Sequence, residues 1–373
     1  MPHGDTWPAA GPPTLGREAM TADDYSVAVH RALEAVDRGW LDMCERCDPV
    51  VRRVRIAETD VEIVLAGDQL ADILLPGFEC HAAAAREPVA TVGAWDALAT
   101  GFAIPPPLAS DNPLVRHWTV RRDGRPVAEI DWADEGAIRI GDRRTGRHLL
   151  GIASADALSP WEAGAPLRRG LWWALGPEAL FVHAGAVATD DGAALIMGAS
   201  GAGKSTTSLA CLRAGMDFLS DDYCLVRGDP PVVHLLTATA RVHHHELPNF
   251  VDLVAALDHR ATAPSEDPTM KALFYVDRGA AGQVVRSAPV RVIVVPEVSD
   301  DDEPQLIPLR SAEALRIVAP AALKQMHLEA DRELAGLRHL IASVPLFRLR
   351  LSRHRDRNPI AIEEAIRRAA GSQ

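Results

Sequence analysis

The chain has 373 residues, 47% of them hydrophobic, with a formal net charge of -12. That length and apolar content support a substantial core and suggest two domains. The acidic balance argues against a nucleic-acid partner, and no apolar run reaches the ~18–20 residues that a spanning helix needs, so no membrane role is expected.

The N-terminus, "MPHGDTWPAAGPPTLGREAM", has no basic stretch followed by an apolar one, so no signal peptide is read there. Five cysteines at irregular spacings make no disulfide framework. A cytoplasmic protein is the resulting expectation. Only three of the 39 basic residues are lysine, at 204, 271 and 324. A slim ammonium fits a tight phosphate loop where a planar guanidinium does not.

In chain order, residues 1–15 are rich in Pro, Gly and Ala and read as a mobile tail. A helix is predicted from Ala22 to Cys44, then strands at "VVRRVRI" and "VEIVL" and a helix at "GDQLADILLP". "FAIPPPLASDNP" reads as a loop. "VRHWTVRRDGRPVAEIDW" alternates around an Asp-Gly turn and reads as a hairpin, as does "GAIRIGDRRTGRHLLGI". Residues 16–160 are therefore expected to form a smaller α+β module rich in antiparallel strands. Trp132, Trp161, Trp172 and Trp173 read as packing residues.

Residues 165–373 have a different texture. "LFVHAGAVA" and "AALIMGA" flank the turn "TDDG" and predict a buried hairpin. "MDFLSDDYCLV" predicts a short strand ending in two acids. "VRVIVVPE" and "LFRLRL" are later strands, while "PAALKQMHLEADRELAGLRHLI" and "PIAIEEAIRRAA" read as helices. "DHRATAPSEDPTMK" carries little regular signal and is a candidate mobile loop.

Between the hairpin and the acids lies "GASGAGKST", which matches G-x-x-x-x-G-K-[ST] over Gly198, Ala199, Ser200, Gly201, Ala202, Gly203, Lys204 and Ser205, followed by Thr206. Glycines let backbone N–H groups turn inward around phosphate oxygens, and the next helix aims its positive end at the same anion. Lys204 would reach the β- and γ-phosphates, and the Ser205 hydroxyl would bind Mg²⁺. The motif does not choose between ATP and GTP, or between hydrolysis and transfer. Asp221 and Asp222 follow seventeen residues after Lys204, where carboxylates could serve a metal and a hydroxyl nucleophile. His183, by its own neighbours, reads as a core histidine.

The stretch Phe181 to Val226 resembles the catalytic core of the HPr kinase/phosphorylase superfamily, related in fold to phosphoenolpyruvate carboxykinase. The resemblance rests on the histidine strand, hairpin, phosphate loop, glycine-ended helix and Asp-Asp pair. It implies an α/β P-loop kinase domain, a mixed sheet with flanking helices, preceded by the smaller α+β domain. It also implies a catalytic base at Asp221, a metal-side role for Asp222 and a place for His183 near the transferred phosphate. A looser likeness runs to the C-terminus through "KALFYV". Thr206 stands where bifunctional HPr kinases have an acid, and the family's glycine-rich signature after the acid pair is not recognisable here. The kinase reaction alone is therefore carried over: ATP and Mg²⁺ as cofactors, and a serine of a protein or peptide as acceptor. Self-association of the chain is compatible with this. A small-molecule kinase and a regulatory ATP-binding module without transfer are the alternatives.

Elsewhere the signals are weaker. Cys44 and Cys47 form one C-x-x-C with no second pair, and the alternating His243–Glu246 run offers at most two histidines per strand face. Both read as incidental. Arg241 could steady phosphate charge, and Lys271 could close over the γ-phosphate. Lys324 reads as a solvated helix residue, and Asp300–Glu303 as a solvated turn.

Overall fold

A computed structural model describes residues 22–108, 116–133, 136–158, 160–176, 179–256, 271–278, 283–325 and 329–371. The expected tail at 1–15, the candidate loop at 258–270 and the side chains of Trp161 and Lys324 lie outside what it describes.

The first half contains α1 (Ala22–Cys47), β1 (Val50–Ile56), β2 (Thr59–Ala66), α2 (Asp68–Leu74), β3 (Ala82–Ala83), β4 (Ala90–Asp96) and α3 (Ala97–Thr100). There follow β5 (His117–Arg122), β6 (Arg125–Ala133), β7 (Ala137–Asp142), β8 (Arg147–Ile152), α4 (Pro160–Gly164) and α5 (Arg168–Leu175). Its strands make one sheet in the order β3-β1-β2-β4-β8-β7-β6-β5. The two expected hairpins, β5–β6 and β7–β8, are present, and β1 and β2, expected only as strands, also pair antiparallel; β4 joins β2 and β8 in parallel, so the sheet is mixed.

The second half contains β9 (Leu180–Val182), β10 (Ala184–Thr189), β11 (Gly192–Met197), α6 (Lys204–Arg213), β12 (Asp217–Ser220), β13 (Cys224–Arg227), β14 (Val232–Leu235) and β15 (Thr239–His243). It continues with β16 (Lys271–Tyr275), β17 (Ser287–Asp301), β18 (Gln305–Pro308), α7 (Ser311–Gln325), α8 (Ala330–Ser343), β19 (Leu346–Ser352) and α9 (Asn358–Ala370). β17 is the spine: β11 and β19 run parallel to it, and its first residues pair with β14. The helical stretch expected from "PAALKQ" to "RHLI" is instead two helices. α7 already begins at Ser311, with Pro320 inside it, and α8 starts afresh at Ala330.

Apolar residues fill each layer. One face of the first sheet packs on α1 through Trp40, Trp95 and Ile130; the other packs on α2 and α5. The second sheet lies between α7 with α8 and α6 with α9. The cluster below α5 also takes in Phe181, Tyr223, Leu225 and Leu236, so the two sheets share apolar packing. Polar contacts reinforce this seam. Arg227 donates to Thr59 Oγ1 (3.1 Å) and to the Leu175 carbonyl (2.8 Å), and Tyr275 donates to the Ile73 carbonyl (2.9 Å).

Trp132, Trp172 and Trp173 are buried as expected. Trp173 is held by its Nε1, which donates to Glu129 Oε2 at 2.8 Å. Glu129 is fully buried. Burial pushes its pKa up, but His117, Arg169 and Trp173 outweigh that and hold it at about 2. Glycines make room for the indoles: a Cβ at Gly141 would sit 2.3 Å from Trp173 Cε2, and one at Gly151 2.2 Å from Trp95 Cζ2. Because Trp173 is anchored, Gly141→Ala should destabilise the chain by ~2 kcal/mol. Urea unfolding followed by tryptophan fluorescence checks this, and an unchanged midpoint would contradict the packing described.

Candidate functional site

Two stretches of chain, 180–189 and 217–227, form one antiparallel ladder that is open in its middle. β10 pairs with β12 (Ala186 opposite Ser220), and β9 pairs with β13 (Val182 opposite Cys224). Continuing that register would put His183 opposite Tyr223. Instead residues 221–223 leave the ladder, and the strand expected across "LFVHAGAVA" is interrupted at His183. Ser220 Oγ anchors the near side by donating to the Ala184 carbonyl at 3.0 Å. The opening frees Asp221 and Asp222 from strand geometry, so adjacent carboxylates can point to different neighbours.

The loop Gly198–Gly203 leaves β11 and enters α6 directly. Gly203 has φ +94°, and a Cβ there would lie 2.8 Å from Leu351, so the turn needs glycine on both counts. Gly201 also has φ +79°. No side chain caps α6, leaving its first amides facing the loop as anion donors. Lys204 is buried and folds back on the loop, donating to the carbonyls of Gly198 and Ala199, each at 3.0 Å. Burial lowers its pKa, while the charges of Asp222 and Asp221 oppose that shift. Ser205 and Thr206 follow in the first turn of α6, both half-buried.

The two aspartates differ sharply. Asp222 pairs with the Arg241 guanidinium through Oδ2, and Oδ1 is 3.1 Å from His183 Nδ1. Burial pushes its pKa up, but Arg241 and His183 overcome this and hold it well below the usual carboxylate range. Asp221 is buried, and its Oδ2 accepts the Arg241 backbone N–H at 2.8 Å. Its Oδ1 is buried with no hydrogen-bond partner among the described residues. Burial, and then the charge of Asp222, push the Asp221 pKa up, against the Arg241 amide and the Ser205 hydroxyl. Lys271 opens β16 opposite His243, and its charge acts on both Asp221 and Lys204.

His183, the loop with Lys204, Ser205 and Thr206, Asp221, Asp222, Arg241 and Lys271 therefore meet at one place. Sequence reading missed the support beneath them. The Tyr223 ring lies 5.2 Å from that of His183, and Arg168 of α5 stands over Tyr223 at 4.6 Å. Gly164 of α4 lies flat against Arg241, where a Cβ would come within 2.4 Å of its Cδ. The position of Tyr223 beside the acids was the only available signal.

The other candidates lie apart or serve structure. Both cysteines of the C-x-x-C fall within α1, which runs three residues past its expected end. Burial and then Cys47 push the Cys44 thiol up to about 11. His243 ends β15, and His244–Glu246 form a helical turn rather than strand. His243 stacks on His245, and Glu246 binds Arg355. Among the described residues no group of three His, Cys, Asp or Glu is placed to hold a metal. Asp301, Asp302 and Glu303 are not merely solvated: they pair with Arg350, with Arg353 and His354, and with Arg357.

No family model matches the chain, and no curated protein does. Among solved structures, the HPr(Ser) kinase/phosphatase from Coxiella burnetii is similar to it. Identity is 14% and the TM-score 0.27, over 52% of this chain and 91% of that one. No helix of the described residues is long and apolar enough to cross a membrane.

The aspartates make opposite predictions for stability. A carboxyl whose folded pKa is raised binds its proton more tightly when folded, so its ionisation weakens the fold as pH rises above 3.8, the ordinary value. Asp221→Asn should therefore raise the unfolding temperature at neutral pH, with the gain shrinking as pH falls toward that value. Asp222→Asn removes the charge that pairs with Arg241 and should cost ~3–5 kcal/mol at neutral pH. Calorimetry of both variants checks the pair, and shifts of the same sign would contradict the assigned environments.

Proposed function

We propose that the chain is an ATP- and Mg²⁺-dependent phosphotransferase, with a hydroxyl, such as a serine of a protein or peptide, as acceptor. The observation that carries this reading is the buried Asp221 carboxylate, whose Oδ1 has no hydrogen bond of ordinary geometry among the described residues and which has the Ser205 hydroxyl as a neighbour, just after a glycine loop whose helix has no side-chain cap. An orphaned buried carboxylate oxygen is unfavourable without a task, and a raised pKa suits a proton acceptor.

The residues fit a bound nucleotide and metal. Loop amides from Gly198 onward and Lys204 would hold the phosphates, once the ammonium exchanges its two loop carbonyls for phosphate oxygens. Ser205 and Asp222, the carboxylate kept ionised, would hold Mg²⁺, which needs few protein ligands because phosphate and water supply the rest. When bound, the ion neutralises charge on the phosphate tail. Asp221 Oδ1 accepts the proton of the acceptor hydroxyl and orients its oxygen toward the phosphate. Asp222 and His183 keep Arg241 and the opened ladder in place. Arg241 and Lys271 add positive charge where charge builds on the equatorial oxygens, so positioning supplies most of the rate.

Lys204→Ala should lower transfer by roughly 10²–10³-fold or more. Asp221→Asn should preserve ATP affinity and lose transfer. Radiolabel from γ-labelled ATP tracked into peptide or protein acceptors, with nucleotide affinity measured by calorimetry, tests both. Equal loss of binding and transfer in Asp221→Asn would overturn the base assignment. Wild type that binds no ATP would overturn the reading as a whole.

A further inference from the structure

Arg241 serves both acids of the proposed site. Its backbone N–H donates to Asp221 Oδ2 at 2.8 Å, and its guanidinium binds Asp222 Oδ2. The side chain is only 8% exposed. A long, flexible side chain in solution samples many rotamers, whereas a buried one takes the course its neighbours leave open.

That course runs across Gly164, the last residue of α4. A Cβ there would lie 2.4 Å from Arg241 Cδ, 2.6 Å from Nε and 2.9 Å from Cζ. Gly164 is not among the glycines with positive φ, so its backbone is open to other residues. What demands glycine is the space that the guanidinium and its stem occupy.

Both backbones at this crossing are held. In α4, Glu162 pairs with Arg139 of β7 at 3.7 Å, and Ala163 packs with Leu273 and Tyr275 of β16. The Gly164 carbonyl accepts the Thr239 hydroxyl at 2.8 Å. On the strand that carries Arg241, the Ala238 backbone N–H donates to the Gly77 carbonyl at 3.0 Å. A methyl group at Gly164 therefore meets the Arg241 side chain as the part free to yield, and it yields by leaving Asp222. Gly77 and Gly164 belong to the first half of the chain, whereas Arg241, both acids and the glycine loop belong to the second.

We propose that Gly164 is a positioning residue: α4, from the first half of the chain, holds the Arg241 guanidinium on Asp222 and so governs the rate of phosphate transfer without governing nucleotide affinity. The effect on rate rests on the phosphotransferase reading; the placement of Arg241 rests on packing alone. A cation stabilises developing charge only from a fixed position, and a displacement of about 1 Å is enough to lower a rate severely. The first half is then a working wall of the site, and a shift of α4 is felt at the acid pair.

The test is a double-mutant cycle of Gly164→Ala and Arg241→Ala in the full chain. Thermal unfolding, ATP affinity by calorimetry, and transfer of label from γ-labelled ATP to a pool of serine-containing peptides are read on all four proteins. Gly164→Ala alone should lower the unfolding temperature and reduce transfer by about tenfold or more, with ATP affinity unchanged. In the Arg241→Ala background the added methyl has no guanidinium to displace. There it should leave the unfolding temperature nearly unmoved and the rate within about twofold. Equal effects of Gly164→Ala in both backgrounds would overturn the proposal, as would wild-type transfer by Gly164→Ala. Parallel losses of ATP affinity and transfer would show a merely structural role and defeat it too. Should Gly164→Ala fail to fold, Thr239→Val decides, because it removes the hydroxyl that ties β15 to the Gly164 carbonyl. Slower transfer at unchanged ATP affinity is expected of it, and transfer at the wild-type rate would sink the proposal. Wild type that binds no ATP and transfers no label defeats the phosphotransferase reading instead, and the unfolding cycle then still decides whether α4 holds Arg241.

Discussion

The rest of the site depends on the pairing of one buried carboxylate with the Arg241 guanidinium and the His183 ring, and on the absence of such pairing at the residue before it. Asp222 is held by Arg241 and faced by His183, while Asp221 keeps one oxygen without a hydrogen bond of ordinary geometry among the described residues. Neighbours in sequence have opposite electrostatic fates because the antiparallel ladder opens between Ser220 and Cys224. In a continuous strand their side chains would face opposite sides of the sheet. Released from it, both acids turn into one place and are distinguished by what meets them there.

That opening needs support from outside the strands, and it comes from the helices that join the two halves of the chain. Arg168 stands over Tyr223, and Gly164 allows the Arg241 side chain to pass. The same short helix carries Trp173, which fills the space that Gly141 leaves and is locked by the buried Glu129. The first sheet is thus coupled to the acid pair through packed aromatic rings. It is more than an appendage.

Much of the site could be read along the chain. The glycine loop was legible because its chemistry fixes residue types at a short spacing, and glycine is demanded where the backbone turns left-handed, as at Gly203. The β10–β11 hairpin and the β5–β6 and β7–β8 hairpins were legible because their turns carry Asp-Gly or Thr-Gly signals between alternating runs. The α7–α8 division was not, since the apolar spacing continues across it and Pro320 lies inside α7 rather than at a boundary. The histidine run beginning at His243 changed character because the chain leaves β15 there and enters a helical turn.

Local order, then, was the sequence's to decide: which segments pair as hairpins, where the phosphate-type loop lies, and that two acids follow it. Those depend on turn chemistry and periodicity within a few residues. Which acid is compensated, that Arg241 rather than a lysine meets it, that β4 runs parallel between β2 and β8, and that Arg168 and Tyr223 underpin His183 were decided only on folding. Burial and partner choice are set by residues tens of positions away, and no short-range pattern in the chain encodes them.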